Sequence, residues 1–198
     1  VNIFATNLDN IMCIKLIAGV FEKLGIKHVS EATVGKMFEN GLDDFLKIVK
    51  ADKVRISKIP GFHEKSVDRI YDNIHNGLRN VKLATFLGAS GIFGFGIGRK
   101  RIENLLQEVP ELLQLDKKTA KKKILNVQGF SDKTADKVVN NLSYGVKLIK
   151  SMEGYITFRE EERKSNELEG KKFVMSGFRS KELEEKIVSK GGKVTTSV

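Results

Sequence analysis

Four short turns carry the chemistry that this sequence makes available. They read Ile26-Lys-His-Val-Ser30, Ile59-Pro-Gly-Phe-His63, Gly94-Phe-Gly-Ile-Gly98 and Val127-Gln-Gly-Phe-Ser131. With the third residue of each as anchor, the positions are 28, 61, 96 and 129, so the spacings are 33, 35 and 33 residues. A turn this tight needs backbone with positive φ, or a partner closer than a Cβ allows, and glycine supplies both. Peptide N–H groups then face outward and join the unpaired N–H groups that open the next helix, where its dipole is positive. The natural occupant of such a corner is a phosphate.

Charge ranks the four corners. Lys65, Lys100 and Lys133 stand four residues past the anchor in the last three, and Ala32 stands there in the first. The third opens its helix with Arg99-Lys100-Arg101, whereas Glu31, Glu64 and Asp132 occupy the place of Arg99 in the others. The candidate contact residues are Gly61, Phe62, His63 and Lys65 in the second turn, and Gly94, Gly96, Ile97, Gly98, Arg99 and Lys100 in the third. Gly129, Ser131 and Lys133 follow in the fourth, with His28 and Ser30 in the first.

Other chemistries find no residues. Cys13 is the single cysteine, which excludes an internal disulfide framework, and His28, His63 and His75 have no metal-ligand neighbours, which argues against a zinc finger. The run Gly94-x-Gly96-x-Gly98 lacks the third glycine of a dinucleotide-binding loop, where Arg101 stands, and no strand precedes it.

The elements that position the turns are helices. One residue past each anchor is Val29, Phe62, Ile97 or Phe130. Six, nine and ten residues past come Val34, Met37 and Phe38, then Val67, Ile70 and Tyr71, then Ile102, Leu105 and Leu106, then Ala135, Val138 and Val139. These offsets form one stripe of an α-helix. Ile74, Val109 and Leu142 extend it, while the first copy reaches Gly41 and stops. Helical segments also precede the turns, as at 11–24 and 119–125, so the unit is helix, tight turn, helix. Turns that merely connect a helical bundle remain the plainer alternative for any one copy; four copies at one period favour a shared role. A tetratricopeptide solenoid does not fit a chain with no Trp.

Composition agrees. The 198 residues are 40% hydrophobic, enough for a core, and Lys+Arg 35 against Asp+Glu 25 leaves a net charge of +10 that suits a polyanion such as DNA. No apolar stretch reaches the ~18 residues of a membrane span, and the start lacks a secretory signal, so the expectation is an intracellular protein, cytoplasmic or with DNA in a nucleoid or nucleus, with no membrane partner.

The turns resemble the helix-hairpin-helix element: an apolar residue, any residue, Gly, an apolar residue, Gly, then a helix. Gly96-Ile-Gly98 keeps both glycines, Gly61-Phe-His63 and Gly129-Phe-Ser131 keep the first, and His28-Val-Ser30 keeps neither. Such elements bind DNA through backbone amides without reading sequence. Four in tandem over residues 8–153 are similar to the corresponding domain of NAD-dependent DNA ligases, as are the runs Leu24-Gly-Ile-Lys-His-Val-Ser-Glu-Ala-Thr33 and Ile59-Pro-Gly-Phe-His-Glu-Lys-Ser66. Residues 168–177, 181–190 and 191–198 read as strand, helix and strand, similar to the opening of a BRCT domain. In some of those domains a serine placed like Ser176 holds a phosphate, although a strand-end serine is more often a turn former.

The expected fold is therefore mainly α: four tandem helix-hairpin-helix motifs over 1–154, a polar linker over 155–167, and an incomplete α/β BRCT-like β-α-β unit over 168–198. The resemblance implies a part that clasps duplex or nicked DNA in a ligase sealing nicks during replication and repair. The remaining ligase domains would lie in the same parent chain. NAD and a divalent metal such as Mg would serve the parent enzyme, with no cofactor here, because no lysine stands in the Lys-x-Asp-Gly pattern of adenylation. Two alternatives stay open: the DNA-binding part of an excision nuclease subunit or family X polymerase, and a protein-interaction module in which Lys117 to Lys123 is only a solvated helix face.

Overall fold

Helix starts follow the side chains able to hold an unpaired amide. In the computed structural model, which describes residues 9–159, 167–168, 170–176 and 180–195, Asp9 Oδ1 accepts from the Met12 amide at 2.7 Å and begins α1 (Asn10–Lys23). Ser30 caps α2 (Glu31–Glu39), Asp44 caps α3 (Phe45–Lys50), and Asp52 caps α4 (Lys53–Ser57). The chain continues with α5 (Glu64–Gly77), α6 (Leu83–Ser90), α7 (Arg99–Glu108), a 3-10 turn at Leu112–Gln114, α8 (Lys117–Ile124) capped by Asp116, and α9 (Asp132–Ser151). Short polar side chains at these starts satisfy amides that the helix itself cannot.

The helices pair as α1/α2, α4/α5, α6/α7 and α8/α9, each pair joined by one of the four turns. Their apolar stripes meet in two clusters. The first joins the first two pairs through Phe21, Val34, Met37, Ile56, Ile59, Val67, Ile70 and Ile74, with the Phe21 and Phe45 rings 5.0 Å apart. The second joins the last two through Leu87, Phe93, Ile102, Leu105, Ala120, Ile124, Val138 and Leu142. Burying one such side chain stabilises by ~1.5–3 kcal/mol, which is why the 3.6-residue pattern sets the pairing.

Two helices straddle the clusters. α6 sends Phe86 and Ala89 to the first and Ala84 and Leu87 to the second, while Ile149 of α9 packs against both. Leu148 and Met152, at the far end of α9, are buried in the first.

The helical unit ends at Arg159, five residues beyond the expected 154. Residues 155–159, expected to begin a linker, run as a strap back along the segment after α5. The Thr157 amide donates to the Leu78 carbonyl at 3.0 Å, and the Val81 amide donates to the Thr157 carbonyl at 2.9 Å. Ile156 is buried, and Phe158 sets its ring 5.7 Å from that of Phe86. A polar composition concealed two alternate apolar residues and a set of backbone bonds.

The second unit is described by itself. β1 (Lys172–Val174) and β2 (Lys193–Thr195) pair in parallel, Phe173 opposite Val194, with α10 (Lys181–Ser189) between them in sequence. Ile187 of α10 is buried, whereas Leu183, expected on the same apolar face, remains 40% exposed. Most of the expected 155–167 linker, together with Gly177 and residues 196–198 of the expected last strand, lies outside the described residues.

Candidate nucleic-acid interface

The four anchors share one backbone conformation. φ is 65° at His28, 81° at Gly61, 87° at Gly96 and 89° at Gly129, all left-handed. Two residues later each chain is extended at a helix N-cap, Ser30, His63, Gly98 or Ser131, and the second helix starts on the following residue. His28 thus adopts the geometry that glycine adopts elsewhere, so the first copy has the hairpin shape without the hairpin glycines.

The corners differ in the amides they leave open. In the last three, the amide after the anchor closes the turn: Phe62 N to Ile59 O at 3.2 Å, Ile97 N to Gly94 O at 3.3 Å, and Phe130 N to Val127 O at 3.2 Å. That group points inward and is unavailable. At the second and fourth corners the N-cap amide is also engaged, His63 N donating to Ser66 Oγ at 2.9 Å and Ser131 N to Thr134 Oγ1 at 2.8 Å. At the third, Gly98 brings no hydroxyl and Arg101 no acceptor. The amides of Gly96, Gly98, Arg99 and Lys100 make no hydrogen bond among the described residues.

Glycine does different work at the two ends of that corner. Gly96 takes the left-handed φ, which an L side chain adopts only with strain. Gly98 has φ −92° and needs no glycine for its backbone, but a Cβ there would meet nothing within 4 Å, so the face is bare and approachable.

Packing brings further cations to the corners, some from neighbouring repeats and some from the same hairpin. Lys137 of α9 donates to the Phe95 carbonyl at 3.1 Å, and Arg101 donates to the Gly96 carbonyl at 3.1 Å. Lys36 of α2 lies over the Phe62 ring, 5.5 Å from its centroid, beside Gly61. Asp132, which on sequence alone repels an anion at the fourth corner, is matched by Lys121 at 3.0 Å, and Lys121 also meets Asp136 at 2.6 Å. Its hydrogen bond with Asp136, seconded by Asp132, holds the Lys121 ammonium above the usual lysine range, so it stays charged.

The expected contact residues divide accordingly. His28, Ser30, Gly61, His63, Lys65, Gly96, Gly98, Arg99, Lys100, Gly129, Ser131 and Lys133 are all exposed, and Gly94 is half-buried. Ile97 is 2% exposed and its amide is spent inside the turn, so it packs the core beneath the corner. Phe62 is half-buried under Lys36. On α8, Lys121 and Lys123 are held in ion pairs, Lys123 with Glu111, while Lys117, Lys118 and Lys122 have none among the described residues. Ser176 is exposed just after β1. Among the described residues no three His, Cys, Asp or Glu side chains gather as a metal site, and no helix is long and apolar enough to cross a membrane.

The profile of the SAM-like helix-hairpin-helix tandem matches residues 22–76 and 96–143, just over half of the chain. The chain belongs to that family. The first stretch runs from the end of α1 through most of α5 and the second from Gly96 into α9, so each falls within one hairpin pair. The tandem is also similar to proteins named DNA ligase. One from Acanthamoeba polyphaga mimivirus is 29% identical over 207 aligned positions, covering 100% of this chain and 32% of that protein. One from Clostridium novyi is 28% identical, covering 91% and 28%, and one from Clostridium tetani is 26% identical, covering 89% and 28%. The chain therefore spans less than a third of the length of these relatives.

Proposed function

We propose that this chain is the duplex-gripping part of an NAD-dependent DNA ligase, holding nicked DNA by its phosphates without reading bases. The observation that carries the reading is the third corner, with open amides at Gly96, Gly98, Arg99 and Lys100 among the charges of Arg99, Lys100, Arg101 and Lys137. Amides and cations aimed at phosphate oxygens give affinity but no sequence information. Four hairpins in two pairs suit the two strands of a duplex on either side of a break.

Relatives named DNA ligase favour a ligase parent over an excision nuclease subunit or family X polymerase. The parallel β-α-β of the second unit is consistent with the start of a BRCT domain. The residues present do not fit NAD: the triple-glycine run joins two helices rather than a strand to a helix, and no lysine has the adenylation pattern. Adenylation and metal chemistry belong to other parts of the parent, and DNA replication and repair are the setting that the resemblance implies.

Fluorescence anisotropy with labelled duplexes tests the reading. Affinity should be equal for unrelated sequences, and log K should fall linearly with log salt at about −0.9 per neutralised phosphate. A salt-insensitive affinity would replace the reading by a protein-interaction module.

A further inference from the structure

Phe95 sits at the tip of the third hairpin and is 90% exposed, far more than any other large apolar residue among the described residues. Residues one before the anchor in the other hairpins are Lys27, Pro60 and Gln128, so at this position only the third hairpin carries an aromatic ring. The backbone that carries the ring is held at several points. The Gly94 amide donates to the Gly91 carbonyl at 2.9 Å, the Ile97 amide closes the turn, and Lys137 holds the Phe95 carbonyl. Nothing stands beside it: a Cβ on Gly94, Gly96 or Gly98 would meet no atom within 4 Å. A projecting ring on a bare backbone, surrounded by Arg99, Lys100, Arg101 and Lys137, does not match an apolar protein pocket, which would bury those charges unpaired. It matches a polyanion that has flat apolar faces between its charges.

We infer that Phe95 is a wedge that stacks against a base step while the surrounding amides hold the flanking phosphates. This rests on the DNA-binding reading and adds a mode to it. Apolar wedges unstack base steps at a cost, and that cost is smallest where one strand is interrupted, so Phe95 should favour nicked over continuous duplex. The side chain makes no packing contact that the fold requires, so its substitution leaves the hairpin intact.

The chain has no Trp, so F95W gives a single reporter at the tip. On adding nicked duplex, the indole emission of F95W should be quenched and shielded from iodide. F95A should bind nicked duplex roughly tenfold more weakly, equivalent to about 1.4 kcal/mol. F95A should also lose the preference for nicked over continuous duplex while keeping the wild-type salt slope, because no phosphate contact is removed. Wild-type affinity in F95A, or unchanged F95W emission in a complex that anisotropy shows to be formed, would overturn the wedge alone. A wild-type chain without salt-dependent DNA affinity would overturn the wedge together with the reading beneath it.

Discussion

Replacing Gly88 with alanine should displace the third hairpin as a whole. A Cβ on Gly88 in α6 would lie 2.7 Å from the amide nitrogen and 2.8 Å from the Cα of Arg99, where α7 begins, against the 3.4 Å at which ordinary contact starts. Both obstructing atoms are backbone and cannot rotate away, so α7 must retreat by about 0.7 Å. Overpacking of this kind costs ~1–3 kcal/mol. For a domain of this size that lowers Tm by roughly 3–10 °C. The same shift carries the Gly98 and Arg99 amides away from a phosphate oxygen by more than the ~0.5 Å width of a good N–H···O distance range. Losing one such charge-assisted bond weakens DNA binding about tenfold. Calorimetry and anisotropy on G88A measure both effects, with G19A as control, since a Cβ on Gly19 in α1 meets nothing within 4 Å. A G88A protein that melts within about 1 °C of wild type and binds with equal affinity would refute the claim that this close approach sets the corner.

Gly98→Ser should gain a few tenths of a kcal/mol of stability, because a serine at an N-cap accepts an amide of the first helical turn. The same capture should weaken DNA binding, so melting and anisotropy should move in opposite directions. Lys121→Ala should reduce DNA affinity more than Lys122→Ala in parallel salt titrations, because it leaves Asp132 and Asp136 uncompensated at the fourth corner. A helical unit cut after Gly154 should melt about 5–10 °C below one cut after Arg159, the loss expected from removing a buried isoleucine such as Ile156.

The hairpin period was legible because a left-handed anchor and a 3.6-residue stripe are both local demands, written within about fifteen residues of each other. They located all four second helices, and they included His28 despite its side chain, since the stripe after it obeys the same offsets. The cations at the corners were not legible in the same way. Lys36, Lys121 and Lys137 each belong to the helix of a different turn from the one they serve or to its packing partner, and only the two shared cores bring them into place. Open and closed amides were partly hidden too, since Ser66 and Thr134 claim N-cap amides from three residues downstream. Phe95 stands among the glycines of the third turn, and its signal in the sequence is an aromatic at a position where the other copies have Lys27, Pro60 and Gln128. The strap at 155–159 pairs with residues some 77 positions away, as in the Asn80 amide to Thr157 Oγ1 bond, a separation that no local pattern encodes.

The shared membership of α9 has a mechanical consequence. Its 20 residues span ~30 Å, with one end embedded in each hydrophobic cluster. Such a rod ties the two halves together: their separation is written into the length of a single helix.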